Sequence, residues 1–211
     1  MSFLPPAPDC PKCPRLCGFR EANRQHYPTF FNAPVPSFGE LNAEFLVVGL
    51  APGLKGANKT GRPFTGDYAG IILYASLLKF KFAQGDYKES REDGLTLVNC
   101  RITNAVRCVP PENKPELAEI KTCNEFLKRE IAAMPRLKLI LSLGLISHNA
   151  VLRATGHKAA FAKFRHGAIH KLTDKIVLLD SYHCSRYNIN TGMLTPAMFD
   201  DIVDRARALL R

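Results

Sequence analysis

The chain alternates short apolar runs with longer stretches whose apolar residues recur at helical spacing. In Glu44-Phe-Leu-Val-Val-Gly49, Phe45 to Val48 is an unbroken apolar run closed by a glycine, the pattern of a buried strand. Residues 49–70 are rich in Gly and Pro and read as a loop. Ile72, Ala75, Leu78 and Phe82 predict a helix over 71–82. A polar loop over 83–94 leads to a second strand over 95–106. Pro115, at a first turn, predicts a helix with Leu117, Ile120, Leu127 and Ile131 on its inner face. A third strand spans 137–143, a helix starts near Ser147, and a fourth strand spans 175–180. Thr195-Pro196 is an N-cap followed by proline at the first helical position. The last helix turns Phe199, Ile202, Val203, Ala206 and Leu210 inward. Residues 1–43 show little periodicity and read as an irregular lead-in.

Four strand–helix alternations predict an α/β fold, a central, mostly parallel four-stranded sheet covered by helices on both faces. Ligands of such sheets bind beyond the carboxyl ends of the strands. The unusual loops follow the first, second and fourth strands, so their residues can converge on one edge. No internal repeat or second domain is evident, and 1–211 is expected to be a single domain.

Composition narrows the partners. The chain has 211 residues, 46% of them hydrophobic, which suits a globular core. Lys+Arg number 29 against 19 Asp+Glu, a net charge of +10 that favours nucleic acid or an anionic membrane surface. No apolar run approaches the roughly 20 residues of a membrane span. Met1 to Pro8 lacks the pattern of a secretory signal, so a cytoplasmic protein is expected. In a reducing compartment the seven cysteines read as free thiols or metal ligands.

Candidate chemistry gathers in the loops. Gly49-Leu-Ala-Pro-Gly53 and Gly61-Arg-Pro-Phe-Thr-Gly-Asp67 permit tight turns and close backbone approach to a ligand. Gly53 to Thr60 nearly matches a nucleotide-binding P-loop. However, Asn58 replaces the required glycine, and Gly61, Arg62 and Pro63 oppose the helix that should follow. Asp67 is the only carboxylate between Glu44 and Asp86, either solvated or functional. Phe64 either plugs the core or stacks on a planar ring. His183 follows the fourth strand, as a structural turn residue or a site residue. Ser185, Arg186, Tyr187 and Asn188 after it can bond phosphates or enter a groove. Counting both ends, Arg153 to Lys171 holds five Lys/Arg, three His and no acid, with Phe161 and Phe164 interleaved. This is a solvated basic loop or a surface tracking a phosphate backbone. Cys10 and Cys13 form a C-x-x-C pair, and Cys108 and Cys123 follow. They read as buried small residues or as ligands of zinc or an iron–sulfur cluster, with Cys17 a possible substitute.

With these loops assembled, the chain resembles the uracil-DNA glycosylase superfamily, most closely family 5 (type B). The matching segments are Cys10-Pro-Lys-Cys-Pro-Arg-Leu16, Gly49 to Gly53, Gly61 to Asp67, Thr103-Asn-Ala-Val-Arg-Cys-Val-Pro-Pro111 and Tyr182-His-Cys-Ser-Arg-Tyr-Asn188. The resemblance implies a three-layer α/β/α sandwich and a structural [4Fe-4S] cluster on Cys10, Cys13, Cys108 and Cys123, tying the lead-in to the domain. It implies that Phe64 stacks on a flipped base, that Asn104 reads its polar edge, and that Leu50 and Ala51 contact it through their backbone. His183 would donate to a base carbonyl, and Asp67 would replace the polar residue that other families carry at positions 50 and 51.

Uracil, hypoxanthine and related bases in single- or double-stranded DNA would be the substrates, hydrolysed without a nucleotide cofactor or magnesium in base excision repair. Lys163, Arg165, Arg186 and Tyr187 would face the DNA. A monomer in bacterial or archaeal cytoplasm is expected. The competing expectation is a non-catalytic iron–sulfur DNA-binding module, which does not require Asn104, Asp67 and His183 to converge.

Overall fold

A computed structural model describes residues 3–211; Met1 and Ser2 of the expected lead-in lie outside the described residues. In chain order the elements are α1 (Pro14–His26), β1 (Phe45–Gly49), α2 (Ala57–Thr60), α3 (Tyr68–Lys79), β2 (Ala83–Gln84), β3 (Thr96–Leu97) and β4 (Cys100–Asn104). They continue with α4 (Leu117–Ala132), β5 (Leu139–Leu143), α5 (Leu145–Ala154), β6 (Ile169–Lys171), β7 (Val177–Ser181), α6 (Arg186–Asn190) and α7 (Pro196–Leu209). The main sheet has the order β4-β1-β5-β7-β6. Its first four strands are parallel, and β6 runs antiparallel to β7 at the edge. The sheet therefore has five strands, one more than expected. The extra strand is a three-residue piece of the basic stretch, too short and too exposed to carry a strand signature.

The strands form because both sheet faces are covered. Phe45 and Val47 point into one apolar cluster with Leu73, Leu77, Phe199 and Val203, beneath α3 and α7. Leu46 and Val48 point into the other with Leu127, Ile131, Ala150 and Val151, beneath α4 and α5. A strand buried on both faces has no polar alternation, hence the continuous apolar runs.

Several local expectations are corrected. The lead-in contains a 13-residue helix, α1, with Pro14 in its first turn; its polar, basic sequence hides it. The helix expected over 71–82 starts at Tyr68 because the Asp67 side chain caps it, accepting from the Gly70 amide at 2.9 Å. Its core face is Leu73, Tyr74 and Leu77 rather than the row through Ala75, which is exposed. The strand over 95–106 is split, with Asn99 at φ 49° between β3 and β4. β3 pairs with β2 in what was expected to be a loop. Pro115 lies ahead of α4 rather than inside it, and Leu117 is exposed.

One buried charge cluster anchors β4. Glu130 of α4 has no solvent exposure and accepts from Arg101 Nε at 2.7 Å, Thr103 Oγ1 at 3.0 Å and Arg107 Nη2 at 2.5 Å. Burial pushes its pKa up, but the two guanidiniums outweigh this and hold it below the ordinary carboxylate range. Removing one partner of such a cluster leaves uncompensated buried charge. Glu130→Ala is expected to lower unfolding stability in urea by about 3–5 kcal/mol. A loss below about 1 kcal/mol would show that Arg101 and Arg107 find other partners.

Candidate active site

The carboxyl ends of β1, β4 and β7 lie on one edge of the sheet and deliver the candidate side chains. β1 ends at Gly49, whose Cα registers with Asn104 at the end of β4. A Cβ on Gly49 would sit 2.4 Å from Asn104 Oδ1 and 2.5 Å from Phe64 Cζ, so only glycine leaves room for both. Asn104 is 3% exposed, and its Oδ1 has no hydrogen-bond partner. A buried amide oxygen left unpaired normally costs about 1–3 kcal/mol, a sign that a donor from outside completes it. Phe64 is buried rather than exposed, at 6%, and its φ of 53° is strained for a residue with a Cβ. Tyr87 Oη and Tyr74 Oη hold the turn by donating to the carbonyls of Phe64 and Pro63. The Phe64 ring faces His183, with centroids 6.0 Å apart and planes 28° from parallel.

His183 also lines an open cleft with Leu50, Ala51, Asp67, Asn113 and Arg186. It is thus the hinge between the Phe64–Asn104 floor and the cleft. Close packing around the ring pushes its pKa down to about 4 by desolvation, so it is a neutral imidazole at physiological pH. Asp67 turns Oδ1 to the α3 amide and leaves Oδ2 toward the glycine loop. A Cβ on Gly56 would lie 2.5 Å from Oδ2, which explains the glycine there. Burial raises the Asp67 pKa above the ordinary carboxylate value, against the opposing Gly70 hydrogen bond. Leu50 and Ala51 bring no ionisable group to the cleft.

Asn113 escaped the sequence reading. It sits at φ 58° in the turn after Pro110 and Pro111, and its Oδ1, like Asp67 Oδ2, would lie within 4 Å of a Cβ on Gly53. The proline pair was the available signal for a rigid loop. Asn58 of the P-loop-like stretch is buried and donates to Asn32 Oδ1 at 2.9 Å, so this segment serves packing.

The four expected DNA-facing residues fall in two places. Arg186 stands over the Tyr68 ring at 5.2 Å on the cleft rim. Tyr187 beside it is 75% exposed. Lys163 and Arg165 are exposed on the loop before β6 and do not line the cleft. Phe161 is likewise exposed. Among the described residues no helix is long and apolar enough to cross a membrane.

Cys10, Cys13, Cys108 and Cys123 line one small apolar pocket with Leu16, Val106 and Phe126. Cys17 lines it too, its thiol donating to the Cys10 carbonyl at 3.2 Å. Cys100 and Cys184 are buried elsewhere. No three cysteine sulfurs among the described residues lie within 4.8 Å of one another. The Arg107 amide lies 3.4 Å from Cys123 Sγ, and Arg20 Nη1 lies 4.0 Å from Cys108 Sγ. Burial and neighbouring thiols push Cys13 up to about 11 and Cys108 up to about 12. Ala51 of the cleft packs against the same cluster of side chains.

Residues 36–207 match the uracil DNA glycosylase superfamily. The chain is 38% identical to the type-5 uracil-DNA glycosylase of Thermus thermophilus, over 99% of this chain and 97% of that one. It is 37% identical to the type-5 enzyme of Pyrobaculum aerophilum (95% and 88%). It is 39% identical to that of Mycobacterium leprae (95% and 91%). The chain belongs to the uracil-DNA glycosylase superfamily, among its type-5 members.

Proposed function

We propose that this protein removes uracil from DNA by hydrolysing the N-glycosidic bond of a nucleotide flipped out of the helix into the cleft. The observation that carries the reading is the unpartnered Asn104 Oδ1 beside the Phe64 ring, which faces His183, while His183 and Asp67 line one cleft. Uracil presents N3–H between two carbonyls. Asn104 Oδ1 accepts from N3–H, and the Asn104 amide nitrogen donates to O4. Phe64 supplies the flat face. Hypoxanthine offers the same pair, N1–H beside a carbonyl, so deaminated purines belong to the substrate range.

Bond cleavage leaves negative charge on the base and positive charge on the sugar. Neutral His183 donates a preorganised N–H to the base oxygen as that charge develops. Asp67, its pKa raised by burial, opposes the sugar cation and takes a proton from water. Asn113, facing the same loop, orients that water. Arg186, Tyr187, Lys163 and Arg165 hold phosphates and offset the few kcal/mol needed for flipping. Neither a nucleotide cofactor nor magnesium has a role in these steps.

Cys10, Cys13, Cys108 and Cys123 are the residues that would hold a [4Fe-4S] cluster. When bound it supplies four thiolate links rather than chemistry. These fasten α1 to the β4 loop and keep 1–211 one unit. A DNA-binding module without catalysis would have no use for a buried unpaired amide beside an aromatic ring.

A duplex or single strand containing one uracil is expected to release free uracil in EDTA. Intact DNA after hours would refute the reading. Asp67→Asn should slow release by about 10²–10³ and abolish the acid limb of the pH profile. That limb arises because rate is lost as pH falls through the raised Asp67 pKa. An unchanged limb would remove Asp67 from the mechanism.

Gly49→Ala should displace Asn104 or Phe64 and cut turnover at least as strongly. Near-normal turnover would separate both residues from base recognition. Protein purified without oxygen should carry about four irons per chain, and a stoichiometric zinc content instead would overturn the cluster assignment.

A further inference from the structure

A polar group in the core has no part in the reaction described above. Asp180 of β7 has no solvent exposure. Its Oδ1 accepts from Ser142 Oγ of β5 at 2.6 Å and from His148 Nδ1 of α5 at 2.8 Å. Its Oδ2 lies 3.1 Å from His170 Nε2 of β6. The second nitrogen of His148, Nε2, lies 3.1 Å from the carbonyl oxygen of Ala162. The two histidine nitrogens and the carboxylate lie within 4.8 Å of one another, but each already has a hydrogen-bond partner.

The two partners of His148, a carboxylate and a carbonyl, only accept. A neutral imidazole has one N–H and can serve one of them; the imidazolium serves both. Burial disfavours that charge, but the hydrogen bond and negative charge of Asp180 outweigh it and raise the His148 pKa. Asp180 and His170 are the titratable groups facing the ring, Ala162 and Phe164 provide uncharged contacts, and Ser142 bonds Asp180 rather than the ring.

Ala162 opens the exposed basic segment. Phe164 packs edge-on against His148, with ring centroids 5.7 Å apart. Alternate residues therefore hold inward, and Lys163 and Arg165 between and after them stand exposed. The segment then reaches the strand end that carries His183. His166 stacks on Tyr182 at 4.9 Å and accepts from the Tyr182 amide at 3.2 Å.

We propose that His148, as an imidazolium, is a positioning residue for DNA: it clips residues 162–165 to α5 so that Lys163 and Arg165 meet phosphates beside the cleft. The inference rests on the glycosylase reading only in taking DNA as the ligand. Losing the second proton leaves the remaining N–H with Asp180, the stronger acceptor, and frees the Ala162 carbonyl. The clip is complete below the raised His148 pKa and is lost as pH rises through it.

Two measurements on the full chain test this. Nitrogen NMR at about pH 6 should find both ring nitrogens of His148 protonated. The salt dependence of binding to an undamaged DNA duplex should be compared at about pH 6 and pH 9. The wild type should lose about 1.8 units of log–log slope more than Lys163→Ala/Arg165→Ala over that range, roughly 0.9 per phosphate contact. All other titratable groups are common to both proteins, so the difference isolates the clip. A single protonated nitrogen at low pH, or equal pH-dependent changes in the two proteins, overturns the proposal. Uracil release assayed on the same samples keeps the readings apart. Release alongside either negative result removes only the clip, and absence of release alongside positive results removes only the glycosylase.

Discussion

The site depends on the missing side chain at Gly49. Parallel pairing sets Gly49 beside Asn104, and the volume a Cβ would claim is filled by the Asn104 amide and the edge of the Phe64 ring. β4 thus delivers a polar group, and the turn between α2 and α3 a flat apolar group, to one point beside β1. A third strand, β7, brings His183 to the same edge. The register of a parallel sheet, once buried on both faces, cannot slip without exposing core. The floor is therefore as rigid as the core itself.

Around this floor the protein arranges ionisable groups in contrasting surroundings. His183 is desolvated and neutral, while Asp67 is partly desolvated but tethered by the α3 amide. Away from the cleft, buried charges are paired: Glu130 with two arginines behind β4, and Asp180 with His148 behind β7. Both networks sit under strands that present site residues, so the backbone there is held by directional polar contacts as well as by apolar packing. The cysteine pocket adds a third restraint through Ala51 and the turn after β4.

Much of this was legible in the sequence because continuous apolar runs have one reading when their flanks are glycine and loop. β1, β5, β7 and α7 fall close to their expected places, and the loops after β1, β4 and β7 do converge. What escaped has physical reasons. α3, Tyr68 to Lys79, is apolar on most sides, so its buried face cannot be read from spacing. α1 is polar and basic, and β6 is three residues long. Asp67 was noticed for its charge, but its capping role shows only when the helix start is known. Asn113 is one polar residue in a polar loop until its backbone turns it toward Gly53.

The most direct test is a crystal structure with DNA containing a deoxyuridine whose 2′-fluorine blocks cleavage. The account requires the uracil out of the stack, its ring parallel to Phe64, N3–H bonded to Asn104 Oδ1 and O2 within reach of His183. A uracil still stacked in the helix, or bound with Asn104 Oδ1 left unpaired, would contradict it.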